Sequence, residues 1–203
     1  QQVATLLGSA DLVLAGNHWL VEETNRLRGK AEYFPTVVDT NHYVPKEAET
    51  ESFRIGWIGN PSTSGQLSVV KSSLESIKGA QTIIVGADRS TIDIDRAKYY
   101  PWSKVDELKQ IQSFSVGLMP LEKTEWARGK CALKALLYMA CGVPCVATPY
   151  GPITDIIEHN VNGLLVDSSE EWLAALEQLR DSRERKRLSE AGRKTVEAGF
   201  SLE

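Results

Sequence analysis

The chain has 203 residues, 42% hydrophobic and 25% charged, and its 23 Lys and Arg against 27 Asp and Glu give a formal net charge of -4. At this length a folded chain buries roughly 70% of the surface its unfolded form exposes, which excludes a disulfide scaffold or a disordered chain. The mild acidity excludes a general attraction to nucleic acid or anionic lipid and leaves room only for a local basic pocket.

In chain order, a helix-like opening from Gln2 to Leu7 is followed by the apolar run Ala10 to Gly16, read as a strand, and by a helical stretch from His18 to Arg28. Thr40 to Ser52 is polar, carries Pro45 and shows no apolar period, the marks of a linker. Phe53 to Gly59 reads as a buried strand, after which Leu67, Val70, Leu74 and Ile77 recur at helical spacing. Gln81 to Gly86 is the next strand and Ile92 to Tyr99 a weaker one. Val105, Leu108 and Ile111 mark a helix, and Phe114 to Met119 is a strand stopped by Pro120. Cys131 to Cys141 is helical and apolar nearly all round, and Val143 to Ala147 is a strand. Pro152 suits the first position of a helix running to about Glu158, and Asn162-Gly163 turns the chain into a strand, Leu164 to Val166. Ser168 and Glu171 form a capping box for a helix with Trp172, Leu173, Leu176 and Leu179 inward. Arg183 to Ala198 interleaves both charge signs, as a solvated helix face does. Strands alternating with helices predict an α/β fold, a Rossmann-like doubly wound parallel sheet with helices on both faces. Ligands of such sheets bind outside the carboxyl ends of the strands, here the loops after Gly59, Gly86, Trp102, Met119 and Ala147.

Three of those loops hold candidate chemistry. Gly59 to Gly65 is small and hydroxyl-rich and leads into a helix, so Asn60, Ser62 and Thr63 can offer backbone N–H groups and hydroxyls to a phosphate. A capped turn is the plain alternative, and no Walker or G-x-G-x-x-G pattern is present. Arg128 and Lys130 stand before or at the N-terminus of the most apolar helix, where a cation opposes the macrodipole, and Lys134 follows one turn later. Cations so placed point to an anion between them, against the alternative that all three snorkel to solvent. Tyr100, Trp102 and Ser103 lie at a strand end where rings can stack on a nucleobase or merely pack the rim. His18, His42 and His159 lack ligand spacing, so no metal site is expected.

Cys131, Cys141 and Cys145 are odd in number and form no C-x-x-C pair, which fits a reducing, cytoplasmic setting. The apolar stretch from Ala135 to Ala147 is interrupted by Gly142 and Pro144 and is too short to span a bilayer. The start at Gln1, directly on a helix-like stretch, is that of a piece of a longer protein.

The block from Ala127 to Thr148, with Tyr138-Met139-Ala140-Cys141-Gly142-Val143-Pro144-Cys145-Val146-Ala147 at its centre, resembles the donor-binding signature of the retaining GT-B glycosyltransferases, often called group 1 or family four. Gly151 and the run Asp155 to Val166 resemble the family's following block, and Ala10 to Pro45 is similar to the end of its acceptor domain and linker. The resemblance implies that residues 1–39 are the last strand-helix unit of an N-terminal acceptor domain, 40–52 the interdomain linker and 53–203 the nucleotide-sugar donor domain. It implies a partner of nucleotide-diphosphate sugar class, used as substrate with no further cofactor and no metal, and membrane contact only through the absent domain. We assign phosphate contacts to Asn60, Ser62 and Thr63 and, because that loop lacks the Arg and Lys that members of the family often carry there, diphosphate contacts to Arg128, Lys130 and Lys134; Gly129 permits close backbone approach to the sugar, and Gly151 is a further substrate-binding candidate. The family carries two glutamates eight positions apart on donor sugar and ribose; here those places hold Gly129 and Leu137. A degenerate binding module and a GT-B nucleotide-sugar epimerase are the competing expectations.

Overall fold

The computed structural model describes residues 2–27, 29–46 and 52–203. The opening unit comprises α1 (Gln2–Ser9), β1 (Val13–Ala15), α2 (His18–Arg26) and β2 (Ala31–Tyr33), with β1 and β2 paired in parallel from Val13 opposite Ala31. The Asn17 side-chain oxygen accepts from the Leu20 amide at 2.8 Å and so caps α2. The strand expected over Ala10 to Gly16 shortens to β1, and Arg28, the expected end of α2, falls outside the described residues, as do 47–51 of the expected linker. β2 has no apolar run to announce it, because Glu32 interrupts it.

The main sheet is built from β3 (Phe53–Ile58), β4 (Ala80–Val85), β5 (Lys98–Tyr100), β6 (Val116–Met119), β7 (Cys145–Ala147) and β8 (Leu164–Leu165), all parallel in the order β5-β4-β3-β6-β7-β8. Between and after them run a 3-10 helix (Pro61–Val69), α3 (Lys71–Ser76), α4 (Glu107–Gln112), α5 (Glu125–Arg128), α6 (Leu133–Ala140), α7 (Ile153–Ile156), α8 (Ser169–Gln178) and α9 (Ser182–Gly199). Alternate side chains along one strand enter opposite layers. Ile83, Val85, Met119, Cys145 and Ala147 pack with Leu136 and Met139 of α6, whereas Ile84, Val116, Leu118 and Val146 pack with Leu74 of α3 and Trp172 and Leu176 of α8. The fold is therefore the doubly wound parallel sheet, covered on both faces. Among the described residues no helix is long and apolar enough to cross a membrane. All three cysteines are free, and burial pushes the Cys141 thiol up to about 12.

Several boundaries differ from the expectations for local reasons. The helix expected through Leu67 and Ile77 splits into the 3-10 helix and α3, because Gly65 and hydroxyl residues such as Ser64, whose Oγ donates to Pro61 O at 2.8 Å, are weak helix formers. Four residues, Leu67, Val70, Leu74 and Ile77, are nonetheless buried. The strand expected over Ile92 to Tyr99 is reduced to β5, since Asp88 turns the chain by accepting from the Ser90 and Thr91 amides. Val105, expected inward, is 83% exposed because α4 starts only at Glu107. The helix expected from Cys131 starts at Leu133, with Ala132 in the left-handed region at φ 52. α7 ends at Ile156, since Ile157 is extended.

Two contacts tie α6 and α9 to what they cover. β6 meets β3 only as far as Gly117, so the Ile58 amide lies beyond the ladder; it donates instead to the Tyr138 hydroxyl at 3.1 Å, inside the core. The Tyr138 ring reaches there across Gly117, where an added Cβ would sit 2.4 Å from the ring. Arg193 of α9 holds the segment after Val38, donating to Thr40 O at 2.9 Å, Tyr43 O at 2.5 Å and Ala140 O at 2.6 Å. Tyr138→Phe leaves the Ile58 amide buried without a partner, and urea unfolding should show a loss of about 1–3 kcal/mol; an unchanged midpoint would show that the bond carries no net stability.

Candidate functional site

From β3 the chain winds outward through β4 and β5, then returns to lay β6, β7 and β8 on the other side. The two windings diverge between β3 and β6, which leaves a crevice outside their carboxyl ends. A cavity of about 1040 Å³ occupies it, walled by Gly59, Asn60, Pro61 and Thr63 after β3, Gly86 to Asp88 after β4, Tyr99 to Trp102 at β5, and Gly129 to Lys134 leading into α6. Gly86 makes the close approach possible: its φ is 83, and an added Cβ would lie 2.0 Å from Gly59 O.

The structure brings Asn60, Thr63, Tyr100, Trp102, Gly129, Lys130 and Lys134 together in that wall. Ser62, Ser103, Arg128 and Gly151, expected to touch the ligand, stand outside it. Ser62 donates to Asn60 Oδ1 at 2.7 Å, and Ser103 donates to Asp106 Oδ2 at 2.6 Å while accepting from the Asp106 amide. The hydroxyl loop thus forms the capped turn and faces the cavity at once. Arg128 lies in the last turn of α5, where a cation agrees with the macrodipole instead of opposing it, and its guanidinium sits over the Trp19 ring at 5.3 Å. Gly151, at φ 66, backs α5: an added Cβ would lie 3.2 Å from Ala127 O.

The charge in the wall is divided. Asp88 and Glu107 lie on the β4 and β5 side, Lys130 and Lys134 on the α6 side. Neither lysine ammonium has a hydrogen bond or ion pair among the described residues. The Lys134 stem runs against Gly59, with Cε 3.1 Å from where a Cβ would stand, and Nζ lies 5.5 Å from the centre of the Trp57 ring. Burial, and then the neighbouring Lys130 charge, push the Lys134 ammonium down to about 8. Burial lowers Lys130 as well, opposed by Glu122.

Two contributors, Asn17 and Glu107, carry no sequence signal beyond a cap or a lone polar residue. Asn17 is 2% exposed, and its amide donates to Arg128 O at 3.0 Å and Lys130 O at 2.9 Å, pinning the loop that carries the cavity's cations to the opening unit. Glu107 accepts from Trp102 Nε1 at 2.6 Å and from the Tyr43 hydroxyl at 2.5 Å, which fixes the exposed indole against the rim. Burial and that carboxylate raise the Tyr43 phenol. Among the described residues no three His, Cys, Asp or Glu side chains are grouped to hold a metal ion.

An open parallel sheet with a ligand-sized cavity at its switch point is the architecture of a doubly wound α/β domain with its crevice at the carboxyl ends of the strands. The family model described as "Glycosyl transferases group 1" matches residues 52–182, and the chain belongs to that family. A search of curated sequences finds no match. Among solved structures the chain is similar to sucrose-phosphate synthase from Thermosynechococcus elongatus, at 17% identity and TM-score 0.79, covering 98% of this chain and 56% of that one. It is similar also to Anabaena Alr3699/HepE, in a structure with UDP-glucose, at 15% identity and TM-score 0.84, covering 98% and 63%. A third is the C-terminal domain of a glycosyl transferase group 1 family protein (LpcC) from Francisella tularensis, at 18% identity and TM-score 0.63, covering 82% of this chain and all of that one. The fold is thus the Rossmann-like half of a GT-B enzyme, and the chain spans 56% and 63% of the first two structures.

The lysine pair gives a prediction with a defined sign. Lys134 has a folded value near 8 against 10.5 for a free lysine, so between those limits the unfolded chain binds more protons and stability rises with pH. The burial penalty is complete below pH 8 and relieved as pH climbs toward 10.5. Lys134→Met should therefore stabilise the chain at pH 7 by about 1–3 kcal/mol in urea unfolding, and the difference from wild type should shrink above pH 8. A variant less stable than wild type at pH 7 would contradict burial of the charge as the cause.

Proposed function

We propose that this chain is the donor-binding domain of a glycosyltransferase that takes its sugar from a nucleotide-diphosphate sugar. The observation that carries the reading is the pair of cations, Lys130 and Lys134, with no hydrogen bond or ion pair to their ammonium groups among the described residues, facing a hydroxyl-lined loop across the switch-point cavity. The diphosphate lies between Lys130, Lys134 and the Asn60 and Thr63 loop, the base against Tyr100 and Trp102, and the sugar beside Gly129. As the bond to the sugar breaks, charge builds on the leaving diphosphate, and preplaced cations in a partly dry cleft stabilise it without reorganising. In this reading no metal is needed and the anomeric configuration is retained. The division into an acceptor-domain remnant (1–39), a connector (40–52) and a donor domain (53–203) belongs to the same proposal, as does a cytoplasmic setting, supported by the free thiols. The Anabaena relative solved with UDP-glucose and with UDP favours a uridine nucleotide. Because the chain spans little more than half of such relatives, transfer requires the remainder of an acceptor domain.

A second reading, a binding module without turnover, is favoured by one observation: Gly129 and Leu137, standing where the family has glutamates, both line the cavity and leave those places without a carboxylate.

Calorimetry with UDP, GDP and ADP tests the donor reading. One nucleoside diphosphate should bind, and because the charged form of Lys134 is the one that attracts it, affinity should fall as pH rises past about 8. Lys134→Met should weaken binding about tenfold or more and flatten that pH dependence. Absence of binding by all three would overturn the reading.

A further inference from the structure

A second, smaller cavity of about 410 Å³ opens beside the first, walled by Trp19 and Leu20 of α2 and by Glu125, Trp126, Gly129 and Lys130. The two cavities share Gly129 and Lys130, so whatever occupies the small one lies next to the cation that faces the large one. The Trp126 ring is 79% exposed, a large apolar face held in water. Glu125 beside it makes no side-chain hydrogen bond or ion pair among the described residues, and the Lys130 ammonium is equally free. The Arg128 guanidinium sits over the Trp19 ring.

We infer that this small cavity is an acceptor subsite and that the acceptor is a carbohydrate. The inference rests on the donor-domain reading. A pyranose has an apolar C–H face that matches a flat indole, and hydroxyls around its edge that match one acceptor carboxylate and one donor ammonium. A lipid tail would need a continuous apolar groove, and Glu125 and Lys130 both interrupt this one. The position fits the chemistry of transfer. An acceptor hydroxyl held at Gly129 and Lys130 stands beside the point where the sugar–phosphate bond breaks; the hydroxyl oxygen bonds to the anomeric carbon, the nucleoside diphosphate leaves with the bonding pair, and the hydroxyl proton passes to the departing diphosphate.

The test uses methyl α-glucoside, methyl α-mannoside, methyl α-galactoside and methyl N-acetyl-α-glucosaminide, titrated by calorimetry and tryptophan fluorescence into the 203-residue chain, with and without UDP, GDP or ADP. At least one glycoside should bind, Trp126→Ala should weaken it about tenfold, Trp126→Phe should restore part of the loss, and nucleoside diphosphate affinity should be the same in all three proteins. Trp126 is exposed, so its truncation leaves the core intact. No glycoside binding, or binding indifferent to Trp126→Ala, overturns the inference. So does a loss of nucleoside diphosphate affinity on Trp126→Ala, which would make the cavity part of the donor site. A chain that binds glycosides through Trp126 but no nucleotide overturns the donor reading and with it the acceptor role, whereas one that binds a nucleotide but no glycoside overturns the subsite alone, so the two failures are distinguishable.

Discussion

The rest of the structure depends on one constraint: α6 must cover the seam where the strand order reverses while its own N-terminus faces the crevice that the reversal opens. Its apolar flank closes the core over β6 and β3, and Tyr138 crosses Gly117 to satisfy the Ile58 amide that the short ladder leaves unpaired. Its first turn then has to meet both the core and the cavity. Lys134 occupies that turn, with its stem on Gly59 and its ammonium near Trp57. A methionine would fill the same space without desolvating a charge. A half-buried cation that meets the Trp57 ring but no anionic group among the described residues lowers the stability of the fold, and this is the pattern of a group kept for an anion it meets from outside.

The crevice is also held from the side. Asn17 performs three tasks with one side chain, capping α2 and donating to two carbonyls of the loop before α6. Arg193 fastens the segment after Val38 to α6 and α9, and Val38 itself pairs with Ser201 at the end of the chain. Tyr43 on that segment reaches Glu107, which in turn holds Trp102 at the cavity rim. The Thr40 to Tyr43 segment is therefore joined by polar contacts to α6, α9 and one side of the cavity, and the Asn17 bonds give a displacement of the opening unit a physical route to the loop bearing Lys130. Asn17 is 2% exposed, so breaking its bonds without water entering leaves its own buried amide unpaired.

The sheet was legible because strands buried on both faces read as unbroken apolar runs, as from Ile55 to Ile58 and Val116 to Met119, and because Ser168 and Glu171 announce α8 by local chemistry alone. Legibility failed where short-range polar chemistry competed with the apolar period. The Asp88 turn displaced the expected strand, and the hydroxyl loop tightened into a 3-10 helix. At the site, Lys130, Lys134 and Thr63 could be found from their position before or within apolar elements. Arg128 could not be separated from them, because α5 is a single turn whose end reverses the dipole argument. Asn17 and Glu107 were beyond reach: a cap residue and a helix-start acid look alike whether they serve the helix only or also a partner more than sixty residues away.

The division of charge within the cavity decides how an elongated ligand can lie. With Lys130 and Lys134 on the α6 side and Asp88 and Glu107 on the β4 and β5 side, a diphosphate is drawn to one end and repelled from the other. At a separation of about 4 Å, unit charges interact by about 4 kcal/mol at the effective dielectric of a protein surface, against about 1 in bulk water, so the polarity of a partly enclosed cavity is felt. The acidic end is also the aromatic end, where Tyr100 and Trp102 offer flat surfaces and Glu107 already accepts one donor on each oxygen. A ligand with an anionic middle and a neutral planar end has one favourable orientation here, with its remaining end at Gly129, the point at which the large cavity meets the small one.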